Sequence, residues 1–120
     1  MKILRSFGYA WFGLKHAFAK QTNLRVQLFL AIVAILMGIA LHINEMEWVI
    51  VSICIGMVLF AELVNTALEK LADVVQKDHH PEIKLVKDIA AGAVLILAIS
   101  SAVAGAIIFL PKIIMLVKSI

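Results

Sequence analysis

The chain has 120 residues, of which 63% are hydrophobic and 16% charged, whereas an average soluble domain is about 45–50% apolar and about 25% charged. A fold this small buries the smallest share of its own surface, so lipid must cover the excess, which disfavours a soluble enzyme, a nucleic-acid-binding module or a disordered tail. The net charge of +3, from 11 Lys+Arg against 8 Asp+Glu, is unevenly spread: Lys2, Arg5, Lys15, Lys20 and Arg25 open the chain with no acid among them.

That basic opening suggests an anionic membrane surface rather than nucleic acid. Charges interrupt its apolar residues, so it does not read as a cleaved signal peptide. Over residues 3–20, Ile3, Phe7, Trp11, Leu14 and Phe18 fall within an arc of about 80° on a helical wheel. Lys2, Arg5, His16 and Lys20 gather opposite, with Lys15 at the boundary. The pattern predicts a surface helix over residues 1–22, lying in the membrane interface.

Three apolar runs follow, at residues 26–43, 48–64 and 89–110, each long enough to cross a hydrocarbon core of about 30 Å as a helix. None alternates as a barrel strand does. The expected fold is therefore an all-α membrane protein, one small helical bundle made of an interfacial helix and three transmembrane helices. Residues 66–88 form a polar extension and loop, in which the turn-like stretch Lys77-Asp78-His79-His80-Pro81 is expected to end the long helix of the second span. The single Cys54 excludes an intrachain disulfide or a cysteine-based metal site.

The first connection carries Glu45 and Glu47 with no Lys or Arg, and the second carries Lys70, Lys77, Lys84 and Lys87. The positive-inside rule then expects a cytoplasmic N-terminus and second connection, and a C-terminus on the outer side.

Glu62 is the anomaly. An ionisable group at membrane depth is expensive and marks a functional site by default. Asn65, Glu69 and Asp73 follow it at spacings of three, four and four, so the four residues share one helix face. The stripe runs about 16 Å out of the membrane, with Glu62 and Glu69 about 10 Å apart, which suits two tasks better than one shared proton. The same stripe could also be polar glue between helices, ending in a solvated face. Lys87 and Asp88, just ahead of the third span, are either phosphate-binding chemistry or an ordinary membrane-edge pair. The six glycines form no phosphate-cradling or dinucleotide loop, and no serine nucleophile elbow is present. His79 and His80, being adjacent, cannot both face one metal from a helix.

The run Ala61-Glu62-Leu63-Val64-Asn65-Thr66-Ala67-Leu68-Glu69-Lys70-Leu71-Ala72-Asp73, then His80-Pro81, then Val86-Lys87-Asp88-Ile89-Ala90-Ala91-Gly92-Ala93-Val94 resembles the small bacterial integral-membrane diacylglycerol kinase family, which includes the undecaprenol kinases. Gly8-Tyr9-Ala10-Trp11-Phe12-Gly13 fits as well, and the resemblance covers essentially the whole chain. It implies a homotrimer in the bacterial inner membrane with active sites between subunits, transferring the γ-phosphoryl group of ATP, with Mg2+, to a lipid hydroxyl.

By that similarity Glu62 matches the general base, with Asn65 beside it, and Glu69 matches a magnesium ligand. Lys87, Asp88, Asp78, His80, Lys2 and Tyr9 fall at nucleotide-contacting positions. Gln21 stands where the family usually has a second magnesium-binding glutamate, and keeps an oxygen ligand without the charge. The Met46-Glu47-Trp48 entry and the run from Lys87 to Ala93 look closer to the undecaprenol branch. Two other functions compete with a lipid kinase. One is a small proton-coupled transporter using Glu62, which usually has a fourth span; the other is a non-catalytic membrane subunit.

Overall fold

The computed structural model describes residues 1–120 as four helices and no strand: α1 (Lys2–Lys20), α2 (Thr22–Ala40), α3 (Glu45–Val75) and α4 (Pro81–Ser119). α2, α3 and α4 are each long and apolar enough to cross a membrane. Only 12 of 120 residues are buried within the chain, so most of the apolar surface must be covered from outside it. α3 and α4 pack most closely, α2 lies against α3, and α1 touches only α2 to any extent.

The predicted surface helix ends slightly early. Gln21 takes an extended conformation between α1 and α2, and the Arg25 guanidinium donates to the Ala19 carbonyl and to Thr22 Oγ1, both at 3.3 Å. That contact satisfies a carbonyl that α1 leaves without a helical partner.

The first span is shorter at its far end than residues 26–43. α2 stops at Ala40, His42 adopts φ 53°, and two hydrogen bonds close the turn. His42 N–H donates to the Ile39 carbonyl at 3.3 Å and Ile43 N–H to the Gly38 carbonyl at 3.2 Å. This is a Schellman ending, with histidine at the left-handed position that glycine usually takes. Asn44 then caps α3: its Oδ1 accepts from Glu47 N–H at 2.9 Å, and its own N–H donates to Glu47 Oε1 at 3.0 Å. Ile43, Val51, Ile108 and Phe109 form the buried core at this end, with Trp48 packed against them.

The second long helix ends just ahead of that turn-like stretch, whose last member, Pro81, begins the next helix. α3 stops at Val75, and α4 starts with Pro81 at its first position, where a missing N–H costs nothing and φ is already set. His80 caps α4, its Nδ1 accepting from Glu82 N–H at 3.2 Å.

Two ion pairs bridge α3 and α4, one at each end of the antiparallel hairpin. Glu47 meets Lys112 at 2.7 Å, and Asp73 meets Lys87 at 2.5 Å. At 1.5 Å per residue, the intervening stretches are each about 38 Å long, longer than a hydrocarbon core of about 30 Å. The pairs therefore bracket the membrane-crossing part of the hairpin.

Candidate functional site

The site begins with an expensive placement. The Glu62 side chain is only 4% exposed and pairs with no Lys or Arg. Asn23, near the start of α2, is the side chain facing its carboxyl. Because Glu62 and Thr66 are four apart on α3, and Asn65 lies between them on the same side, these residues form one buried polar patch. Asn65 is 7% and Thr66 4% exposed.

Asn65 Nδ2 donates to Glu69 Oε1 at 3.3 Å, which ties the buried patch to the half-buried carboxylate one turn further along. Asn65 Oδ1 and Thr66 Oγ1 are left buried without a hydrogen-bond partner. Buried polar atoms are nearly always satisfied. Two unsatisfied oxygens on one turn of helix mark a place where a donor from outside the chain fits.

Beyond Glu69, the stripe reaches Asp73, which is exposed and holds Lys87 Nζ across from α4. Lys87 in turn lines a polar cleft of about 290 Å3 at the α3–α4 junction, together with Lys77, Asp78, His79, His80 and Lys84. Asp78 is the one acid among the residues that line the cleft, while Asp73 and Asp88 hold Lys87 and Lys84 from its rim, so lysine and histidine donors converge there on a site an anion can enter. The expected neighbours Lys87 and Asp88 do not work as a pair. Adjacent helical residues point about 100° apart; Lys87 turns to Asp73, while Asp88 takes Lys84 at 2.7 Å.

The chain brings Glu62, Asn65 and Glu69 together on α3, and Asp78, His80 and Lys87 together around the cleft. It leaves others apart. Lys2 and Tyr9 are exposed on α1, and neither side chain has a polar partner. Gln21 sits at the α1–α2 elbow. No three His, Cys, Asp or Glu side chains form a metal cage. A hard ion such as magnesium does not need one. It is commonly held by one or two carboxylates, substrate phosphates and water, and the oriented carboxylate of Glu69 fits that donor set.

Asn23, Thr66 and Asp73 were assigned no role from the sequence. Asp73 carried a signal as the last member of the stripe. Thr66 carried one as the residue four after Glu62 on its helix face. Asn23 carried none, because its relation to Glu62 is made only when α2 folds against α3.

Residues 8–109 match the family model described as prokaryotic diacylglycerol kinase. Among characterised relatives, the chain is 37% identical over 115 residues to a diacylglycerol kinase of Synechocystis sp., covering 95% of this chain and 66% of that protein. It is 34% identical over 111 residues to an undecaprenol kinase of Bacillus subtilis, covering 92% and 90%. It is 24% identical over 107 residues to a diacylglycerol kinase of Escherichia coli, covering 89% and 88%. With most of its length matched and three helices able to cross a membrane, the chain is a multi-pass membrane protein that belongs to the prokaryotic diacylglycerol kinase family.

Proposed function

We propose that this lipid kinase carries out its transfer along the α3 stripe, with Glu62 accepting the proton of a lipid hydroxyl and the cleft beside Lys87 holding ATP. Kinase activity on a membrane lipid follows from the family to which the chain belongs. The transporter and non-catalytic readings are not favoured. The acceptor is a lipid alcohol of the diacylglycerol or undecaprenol class, the two that the relatives' names offer.

In this reading the lipid oxygen attacks the γ-phosphorus of ATP as its proton passes to Glu62. The new O–P bond forms while the bond to the bridging β–γ oxygen breaks, releasing ADP. Phosphoryl transfer demands positioning and charge neutralisation more than covalent help. The observation that carries the reading is the buried, cation-free carboxylate of Glu62, which shares one face of α3 with the bonded pair Asn65 and Glu69, on a helix that leads to the lysine-lined cleft at the polar end of the same hairpin. A lipid hydroxyl can reach the first, and a nucleotide in water can reach the second. Magnesium, when bound, neutralises the phosphate oxygens of ATP. Glu69 would hold it, and Gln21, at the elbow between α1 and α2, would offer a neutral oxygen. Asp78, His80 and Asp88 border the nucleotide.

Lys2 and Tyr9 contribute from α1, and the largely uncovered apolar surface of the chain supports assembly as a homotrimer, in which a neighbour's α1 can close the site. We place the protein in the bacterial inner membrane with its N-terminus and the α3–α4 connection in the cytoplasm and its C-terminus outside, because Lys70, Lys77, Lys84 and Lys87 surround that connection while the first connection has no Lys or Arg. Phosphate transfer from labelled ATP, by purified protein in mixed micelles holding either diacylglycerol or undecaprenol, tests the reading. Labelling of one lipid alcohol is expected; ATP turnover with neither would overturn it.

A further inference from the structure

We infer that Asp73 is a positioning residue for ATP, acting by holding the Lys87 ammonium at the mouth of the cleft; this rests on the reading of the cleft as the nucleotide site. Asp73 lies in the last turns of α3 and Lys87 in the second turn of α4. The five residues of the 76–80 connection separate the two helices, so their contact spans the base of the cleft. The Nζ–Oδ1 contact is 2.5 Å, and it is the only side-chain bond joining α3 and α4 at this end.

The contact does not look like a stabilising device. Asp73 is 64% and Lys87 36% exposed, and exposed pairs contribute little to folding because water screens them and two long side chains must be held still. Stability is supplied elsewhere, by the packing of α3 on α4. What the pair does accomplish is geometric. A lysine is a compact charge on a flexible four-carbon stem, and left alone it would sample many rotamers. Tethered from the opposite helix, its ammonium stays beside the cleft, where its remaining donors can meet a phosphate oxygen.

The neighbouring cations do not share this arrangement. Lys84 is drawn to Asp88 on its own helix, and Lys77 has no carboxylate partner. Lys87 is the one cation of the cleft held from across the hairpin, so its position is set by the approach of the two helices. Asp73, with its carboxylate engaged by the Lys87 ammonium, acts through Lys87.

The test is a double-mutant cycle on the full-length protein in mixed micelles, with D73N, D73E, K87M and the combined D73N/K87M. We expect D73N to raise KM for magnesium-ATP about tenfold, with kcat and the lipid KM changed less than about threefold, and D73E to recover most of the loss. In the K87M background, D73N should add nothing further. An unchanged ATP KM in D73N, an effect additive with K87M, or an equal loss towards both substrates together with a lowered melting temperature would overturn the inference. Wild-type activity on a lipid in the same assay keeps the two levels apart. If wild type phosphorylates lipid and D73N behaves as wild type, only the role of Asp73 fails; if wild type uses no lipid, the functional reading itself fails.

Discussion

Asn65 donates to Glu69 across a single turn of α3, and the oxygen of the same amide is buried with nothing to accept from. One side chain thus orients a carboxylate on its donor side and leaves an acceptor for an incoming group on the other. Replacing Asn65 with alanine removes both functions while leaving the helix intact. N65A should lower kcat/KM by about 10–100-fold, the usual cost of losing a partner that orients a metal-binding carboxylate. Helical content by circular dichroism should be unchanged. Initial rates across a magnesium titration check this, and the requirement for magnesium should rise in the variant.

Gly38 faces Trp48 so closely that a Cβ there would lie 2.7 Å from Trp48 Cη2 and 3.0 Å from Ile43 Cδ1. Ile43 is itself buried in the core at that end, so neither neighbour can move freely. G38A should destabilise the protein by about 1–3 kcal/mol, the ordinary cost of overpacking. Thermal unfolding in detergent measures it. The distant α3 stripe should keep its activity below the melting transition.

Lys112 holds the Glu47 carboxyl below the ordinary carboxylate range, with help from the Asn44 backbone N–H. A carboxyl lowered in the folded state stabilises the fold above its ordinary value, about 4.3 for glutamate, and ceases to do so as the pH falls through the folded value. Wild type should therefore melt at a higher temperature than E47Q at pH 7. The two curves should converge on acidification below about pH 4. K112M should reduce the acid dependence in the same way.

The helices and their membrane-crossing character were legible because hydrophobic runs and their periodicity survive folding unchanged. The Glu62–Asp73 stripe was legible for the same reason: spacings of three and four fix a shared face before any partner packs. Boundaries were harder. His42 occupies a left-handed position usually signalled by glycine, so the end of α2 was hidden inside an apolar run. The Asn44 cap carried a signal in its Asn-x-x-Glu spacing. The turn-like stretch closing with Pro81 marked the break after α3, but not that the proline itself opens α4, where its missing N–H costs nothing. Tertiary pairs were the least legible. Lys87 and Asp88 are neighbours in sequence, yet each turns to a different partner, and only the antiparallel approach of α3 and α4 selects Asp73 for Lys87.

The central claim is that Glu62 takes the proton of the lipid hydroxyl, and E62Q tests it most directly because the amide keeps the size and polarity of the side chain but cannot accept that proton. Purified E62Q and wild type should be compared for phosphate transfer to the lipid that wild type uses, with ATP binding measured alongside. We predict that E62Q binds ATP as wild type does and loses about 100-fold or more in kcat, the range expected for removing a general base. Near-normal turnover by E62Q would contradict the account.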